Sequence, residues 1–141
     1  MLSAFQTKNL FWNLKYCIQR IRRGYCDGDL WEIDSWFLTL MPDMLRQFDK
    51  IRIGYPKQIR NEYIEENRKN IGFDEFLCNH SNEIDEACNK RWSEILNKMA
   101  DNFEKLSDLE FRWRKKYNDE RENLKAETFQ MFAKWLYCLW D

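Results

Sequence analysis

The sequence predicts an all-α protein, and three observations support this prediction. Four glycines and two prolines, six residues in 141, are too few for many short strands joined by tight turns. Apolar residues recur at steps of three or four through most of the chain, which is typical of amphipathic helices. No segment gives a convincing strand prediction. We therefore expect one domain, residues 1–141, folded as a bundle of four to five helices.

Composition and charge restrict the kinds of protein that this chain can be. Hydrophobic residues make up 44% of the chain, which is enough apolar surface for a folded core. The net charge is −1, so no overall field attracts nucleic acid or an anionic membrane. The longest apolar run, 36–41, is too short to cross a bilayer, and the N-terminus has no export-signal pattern. Five scattered cysteines without C-x-x-C spacing indicate reduced thiols in the cytoplasm, and we expect no cofactor and no bound metal.

The first helix is predicted over about 8–23. Its apolar residues lie three or four positions apart and are expected to face the core: Phe11, Leu14, Ile18 and Ile21. Arginines occupy its last turn, where cations oppose the negative end of the helix dipole. Gly24 is expected to end the helix in the left-handed conformation.

The second helix is predicted over about 30–50. Asp29 and Glu32 have the spacing of a capping box at its start. Its inward residues are expected to be Leu30, Ile33, Phe37 and Leu40, flanked by Trp36. Pro42 lacks a backbone donor and clashes with the preceding turn, so it predicts a kink.

Residues 57–83 are the least regular part of the chain. Ile59, Tyr63 and Ile64 indicate a weakly amphipathic helix, while 65–70 are polar on all sides. We expect this segment to be a variable, mobile insertion.

Two further helices complete the prediction. The third has the clearest inward stripe, formed by Ile84, Cys88, Trp92, Ile95, Leu96, Met99, Phe103 and Leu106. Ser81 or Asn82 is its expected cap. Ser107 and Glu110 resemble a capping box, which predicts a corner and a long C-terminal helix over 108–139. Phe129, Phe132, Ala133, Leu136 and Trp140 are its expected apolar residues.

The segment from 22 to 36 combines charged and aromatic residues more densely than any other. Its candidate ligand- or partner-binding residues are Arg22, Arg23, Tyr25, Asp27, Asp29, Trp31, Asp34 and Trp36. One interpretation is a pocket in which arginines and helix amides hold a small, nucleotide-like anion against aromatic rings. The other is a structural corner with a cap, an ion pair and core tryptophans.

Other chemistry has weaker support. Asp27-Gly28-Asp29 lacks the later oxygen ligands of a calcium loop, and His80 near Cys78 has no signature of a nucleophilic pair. No catalytic motif is present, which disfavours an enzyme. Basic and aromatic residues interleave at Arg112, Arg114, Lys115 and Lys116, but a net charge near zero disfavours nucleic-acid binding. The aromatic ending, 135–140, is either a core-docking segment or an exposed patch for self-association or a host protein.

Four parts of the sequence together resemble a group of small proteins from tailed bacteriophages and prophages. The first is R-G-Y-x-D-x-D-x-W-x-x-D at 23–34, and the second is the G-x-P loop at 54–56. The others are W-x-x-I-L-x-x-M at 92–99 and the closing L-W-D at 139–141. The resemblance implies a phage origin, with the cytoplasm of an infected bacterium as the working compartment, and it implies no activity. We therefore expect a non-enzymatic accessory protein that binds a host protein or a defence component.

Overall fold

The computed structural model describes residues 4–67, 72–110 and 118–139, with side chains from Trp12 onward except at 73–80 and 110. These residues form five α-helices and no strand, which confirms the all-α prediction. The helices are α1 (Ala4–Arg23), α2 (Ile33–Ile51), α3 (Lys57–Asn67), α4 (Phe73–Glu110) and α5 (Asn118–Trp135). A short 3-10 helix, Leu136–Cys138, follows α5 directly.

Internal contacts divide the chain into two compact units, unit 1 (residues 1–37) and unit 2 (residues 38–141). The boundary falls within α2, so the start of that helix belongs to unit 1 and the remainder to unit 2. The single domain expected from the sequence stays a prediction.

In unit 1, α1 ends where the sequence predicts. Gly24 has a φ of +79°, a left-handed conformation that glycine adopts without the clash that a Cβ atom would cause. Its N–H donates to the carbonyl oxygen of Arg20 at 2.9 Å, closing the end of the helix. α1 starts at Ala4, earlier than the predicted residue 8.

The predicted start of α2 is wrong. The helix begins at Ile33, and the Asp29 carboxylate accepts a hydrogen bond from the backbone N–H of Cys26 at 2.7 Å instead of capping a helix that follows it. Backbone bonds from Asp29 to Cys26 (3.1 Å) and from Trp31 to Gly28 (3.2 Å) close two consecutive turns. The second turn includes Leu30 and Trp31, the first two residues of the predicted helix.

The predicted inward face of α2 is also wrong. The buried residues are Leu38, Met41, Pro42 and Leu45, whereas Leu30, Ile33 and Leu40 are 52%, 58% and 38% exposed. The buried positions recur at steps of three, one and three, so they form one stripe in unit 2 that is rotated from the predicted one. α2 continues through Pro42, and the kink expected there stays a prediction.

Polar contacts join α2 to α4 within unit 2. Arg46 donates to Glu104 at 2.7 and 2.9 Å and to Asp101 at 2.8 Å. One turn later, Asp49 accepts bonds from Arg52 at 2.9 Å, from the Ser93 hydroxyl and from Asn97 at 3.1 Å. Arg52 also donates to the carbonyl oxygens of Gly54 (2.7 Å) and Asn89 (3.0 Å), which fixes the chain at the end of α2.

The Asp49 carboxylate is held in its ionised form. Burial alone would raise its pKa, but bonds from Ser93, Arg52 and Asn97 together lower the pKa below the ordinary value of 3.8. The Arg52 side chain is 8% exposed and that of Asp49 is 15% exposed, so this is a largely buried ion pair, and both side chains form further hydrogen bonds within the protein.

The helix predicted near residue 57 is present as α3. Ile59 and Ile64 are fully buried, and Tyr63 is half-buried. In the preceding loop, the Tyr55 hydroxyl donates to Asp85 of α4. Residues 68–71 lie outside the described residues, so the mobility expected for 57–83 stays a prediction.

The stripe predicted for the third helix forms the core of unit 2. Ile84, Cys88, Trp92, Leu96, Met99 and Phe103 are at most 1% exposed, Leu106 is 3% exposed, and Ile95 is half-buried. The boundaries were wrong, because α4 begins at Phe73 and continues through Ser81 and Ser107 to Glu110. A long apolar stripe packed on other helices outweighs local capping signals inside it.

α5 covers this core differently from the prediction. Trp135 is 3% exposed, with its ring centroid 5.2 Å from that of Trp92, whereas Phe129 and Leu136 are 42% and 44% exposed. Phe129 and Phe132 each contact Phe103 edge-on at 5.6 Å between centroids. α5 is described from Asn118 onward. Residues 111–117 and Trp140 lie outside the described residues, so a C-terminal helix that starts near 108 stays a prediction. Within the described ranges, no helix has the length and apolar character to span a bilayer.

Candidate functional site

The residues singled out in the sequence lie where α1 turns toward α2, and we call residues 20–36 the α1–α2 corner. Asp29 is the acceptor at its centre. Arg20 donates to both oxygens of the Asp29 carboxylate, at 2.7 and 3.2 Å, and the Cys26 amide donates to one of them at 2.7 Å. Because the Asp29 side chain is 10% exposed, this forked pair anchors the turn to the last turn of α1.

Asp27 forms a second centre beside it. Its carboxylate accepts bonds from Gln19 at 2.7 Å and from Arg23, and the Lys15 ammonium lies 3.0 Å away. The Asp27 amide donates back to the Gln19 side-chain oxygen at 2.9 Å. α1 therefore holds this turn through three of its polar side chains.

Both aspartates are poor candidates for proton transfer. The hydrogen bond from Gln19, followed by those from Lys15 and Arg23, lowers the pKa of Asp27 far below 3.8. The hydrogen bonds from Arg20 and from the Cys26 amide do the same to the pKa of Asp29. Each group is an ionised acceptor at neutral pH, so neither has a proton to donate as a general acid.

The structure brings four of the candidate residues into this network: Arg23, Tyr25, Asp27 and Asp29. Arg23 donates to Asp27 and to the carbonyl oxygen of Tyr25 at 3.3 Å, and its guanidinium lies 4.8 Å from the centroid of the Tyr25 ring. Because the arginine donors already serve protein acceptors, these contacts favour the structural corner over a pocket for a small anion. Trp36 is half-buried.

The remaining corner candidates point to solvent. Arg22 and Asp34 are exposed, and Trp31 is 90% exposed. A tryptophan this exposed contributes little to its own unit, which makes it a candidate contact for another molecule.

A second exposed surface lies on α1 itself, and we call Leu14, Ile18 and Ile21 the α1 apolar face. These side chains are 59%, 47% and 83% exposed, although the sequence analysis assigned them to the core. At 100° per residue they share one side of the helix, while Gln19 and Arg23, which hold the corner, lie on another. The corner therefore folds against the side of α1 that carries Tyr16, Gln19 and Arg23, and leaves the α1 apolar face exposed.

Several other residues singled out in the sequence lie outside the described part of the structure. Arg112, Arg114, Lys115 and Lys116 lie outside the described residues, as do the side chains of Cys78 and His80. Among side chains that are described, no three histidine, cysteine, aspartate or glutamate residues are grouped to hold a metal ion. Cys17, Cys26, Cys88 and Cys138 are free thiols.

Sequence reasoning missed a hollow in unit 2 that is lined by α3, α4 and α5. Its charged residues include Glu62, Arg91, Lys98 and Lys134, and Trp135 contributes to its apolar lining. Only one signal in the sequence pointed to it. Arg91, Ile95 and Lys98 follow one another at steps of four and three, so they lie on one side of α4 beside its buried stripe.

Comparison with known proteins identifies no family for this chain. No family model matches it, and no curated protein and no solved structure is significantly similar to it. The function must therefore be inferred from the chain's own residues.

Proposed function

We propose that this protein is a non-enzymatic binding module that docks onto a partner protein through the α1 apolar face. The observation that carries the proposal is the exposure of Leu14, Ile18 and Ile21, at 59%, 47% and 83%, on one side of a regular helix. Steps of four and three between them are the spacing by which an amphipathic helix fits a groove. Fully burying an exposed side chain of this kind contributes about 1.5–3 kcal/mol, and a partner would supply the part that corresponds to the area still exposed here.

Charge indicates the chemistry of the partner. α1 contains five basic residues and no acidic one: Lys8, Lys15, Arg20, Arg22 and Arg23. Three of these cations pair with Asp27 and Asp29 of the corner, so α1 and the two aspartates together keep a net charge of +3 (five minus two). A complementary surface is an apolar groove with an acidic rim, because opposite charges at the rim favour encounter and orientation. The phage-like sequence pattern further suggests that the partner is a protein of a bacterial host, such as a defence component.

Trp31 supplies an anchor near this helix in the chain. Tryptophan, tyrosine and arginine are the residue types that most often dominate binding energy at interfaces. Trp31 at 90% exposure and Tyr25 at 37% follow α1 in the corner and extend the set of residues available to a partner.

The test compares wild type with Ile21→Asp in quantitative capture from bacterial lysate, followed by calorimetry with the purified partner. Ile21→Asp should weaken binding by at least about tenfold, since it places a carboxylate in the contact. Asn13→Asp is the matched control, because it adds the same charge at an exposed position of α1 away from the apolar face. It should change affinity less than about twofold.

Three outcomes would overturn the proposal. Equal binding by Ile21→Asp and wild type would remove the α1 apolar face from the interface. A dimer that dissociates on Ile21→Asp would make a second copy the occupant. Co-sedimentation with phosphatidylglycerol vesicles that Ile21→Asp abolishes would make the face a lipid-binding surface, as basic amphipathic helices can be.

A further inference from the structure

One side of α2 carries a row of apolar residues that unit 2 leaves open to solvent. Leu40, Met44 and Ile51 are 38%, 53% and 76% exposed, and Phe48 between them is half-buried. With 3.6 residues per turn, the four positions fall within about 80° of one another around the helix. We call these four residues the α2 apolar face, and all of them belong to unit 2.

Other sides of α2 hold the helix in place. Arg46 and Asp49 form hydrogen bonds to α4, and they lie about 140–160° around the helix from the centre of the α2 apolar face. Arg52 binds the carbonyl oxygen of Gly54 at 2.7 Å and so fixes the chain that follows the helix. Ile53 lies within this fixed segment and is 96% exposed. The α2 apolar face is therefore presented outward by a helix that is anchored on its opposite side.

The order of residues along this face matches itself when a second α2 runs in the opposite direction. With a twofold axis at the level of Arg46, Leu40 lies beside Ile51 of the second copy. Met44 then lies beside Phe48 of the second copy. Twofold symmetry repeats each of these contacts, so every member of the face meets an apolar residue.

Two exposed charges at one edge of the face follow the same symmetry. Asp43 and Lys50 are exposed, and neither forms an ion pair among the described residues. They are seven positions apart, so they lie within about 20° of one another around the helix. In the antiparallel pair, Asp43 lies beside Lys50 of the second copy, and symmetry gives this ion pair twice. A parallel pair would leave the two charges about 10 Å apart along the axis, so charge favours the antiparallel arrangement.

We propose that two copies of this protein associate through the α2 apolar face, with their α2 helices antiparallel. The charges favour self-association here and disfavour it at the α1 apolar face, because α1 contains basic residues and no acidic one. Four side chains per copy make a small interface, so we expect a dissociation constant on the order of 100 µM. The two proposals concern different surfaces, so either can fail while the other holds.

Sedimentation equilibrium of the full chain, from about 10 µM to 1 mM, measures the dissociation constant. Met44→Asp should weaken dimerisation at least about tenfold, because it places a carboxylate in an apolar contact. Leu14→Asp is the matched control, since it makes the same kind of change at a residue of α1 that is 59% exposed. It should leave the dissociation constant unchanged.

An exchange of charges tests the antiparallel pairing itself. Asp43→Lys and Lys50→Asp each place like charges beside one another in the dimer, so each variant alone should associate about tenfold more weakly. An equimolar mixture of the two variants should regain the affinity of wild type, because every lysine at these positions then meets an aspartate of the other copy.

Four results would overturn the proposal. Wild type could remain a monomer at about 1 mM, beyond the range of weak specific association. The dimer could persist in Met44→Asp, or it could be lost in Leu14→Asp, which would place the contact on α1. Finally, the mixture of Asp43→Lys and Lys50→Asp could fail to associate more tightly than either variant alone, which would exclude the antiparallel pairing.

Discussion

α1 and α4 have apolar residues at the same helical spacing, but only α4 buries them. Leu96, Met99 and Phe103 of α4 are fully buried, whereas Leu14, Ile18 and Ile21 of α1 are about half to four-fifths exposed. In α4, neighbouring helices of unit 2 cover the stripe. In α1, the corner packs on another side of the helix, which carries Tyr16 together with the polar residues Gln19 and Arg23. An apolar stripe thus defines which face a helix would bury and does not define what covers that face.

The largest expected difference comes from one substitution made in both helices. Leu96→Ala should destabilise the protein by about 2–5 kcal/mol, because it opens a cavity in a fully buried site. Leu14→Ala should change stability by less than about 0.5 kcal/mol, since the side chain is 59% exposed and both residues favour helix. Urea denaturation of both variants measures the difference, and a cost at Leu14 as large as at Leu96 would show that the α1 apolar face is buried in solution.

This contrast explains which parts of the fold the sequence could predict. The all-α class and the α4 core follow from the helical spacing of apolar residues. The end of α1 follows from Gly24, because glycine adopts the left-handed conformation more readily than other residues. The start of α2 could not be predicted, because Asp29 had two local options and the choice depended on Arg20, nine positions earlier in the chain. Capping signals inside α4 were overruled by tertiary packing.

The two candidate sites also differ in whether the sequence could reveal them. The corner could be found from its density of charged and aromatic residues, and its network joins residues at most 12 positions apart, as between Lys15 and Asp27. The hollow could not be found, because Glu62 and Lys134 are 72 positions apart and meet only through the packing of α3, α4 and α5. Spacing along a sequence therefore reveals local networks but does not reveal contacts between residues that are far apart in the chain.

The second prediction makes the same comparison between a buried and an exposed site, but with charged residues. Arg52→Leu should lower the free energy of unfolding by about 3 kcal/mol, because it leaves the largely buried Asp49 without its cation. Arg46→Leu is the matched control, since Arg46 also joins α2 to α4 but pairs with the exposed residues Asp101 and Glu104. Arg46→Leu should lower the free energy of unfolding by less than about 1 kcal/mol. Equal losses for the two variants in urea denaturation would contradict the role given to burial.

The Asp49 pair also predicts a dependence on pH. A carboxyl group whose pKa is lower in the folded state stabilises the fold above its unfolded pKa, here near 3.8, and this stabilisation is lost as the pH falls through the folded value. Wild type should therefore lose stability below about pH 4 more steeply than Asp49→Asn. Parallel curves for the two proteins would mean that Asp49 titrates as it does in the unfolded chain.

A smaller and opposite effect is expected at Asn102. This residue is 5% exposed, and within the described part of the chain its side-chain nitrogen has no hydrogen-bond acceptor. Asn102→Leu has a similar shape and removes the unsatisfied donor, so it should raise stability by about 1 kcal/mol in urea denaturation. A loss of stability would indicate that the amide has a bonding role in solution.

The smallest effect should be confined to the corner, where it can be detected at one amide. Asp29→Asn weakens the acceptor of the Cys26 N–H, so hydrogen exchange at Cys26 should become about tenfold faster while exchange in α4 is unchanged. Glu32→Gln is the control, because Glu32 is an exposed carboxylate of the same corner that follows the two turns. The pKa of Asp29 is lowered in the fold, so the difference from Asp29→Asn should hold at neutral pH and vanish once acid protonates the carboxyl group. If exchange at Cys26 is equal in wild type and Asp29→Asn at neutral pH, the corner is held by its backbone turns and by Asp27, and the exposed residues beyond it are positioned without Asp29.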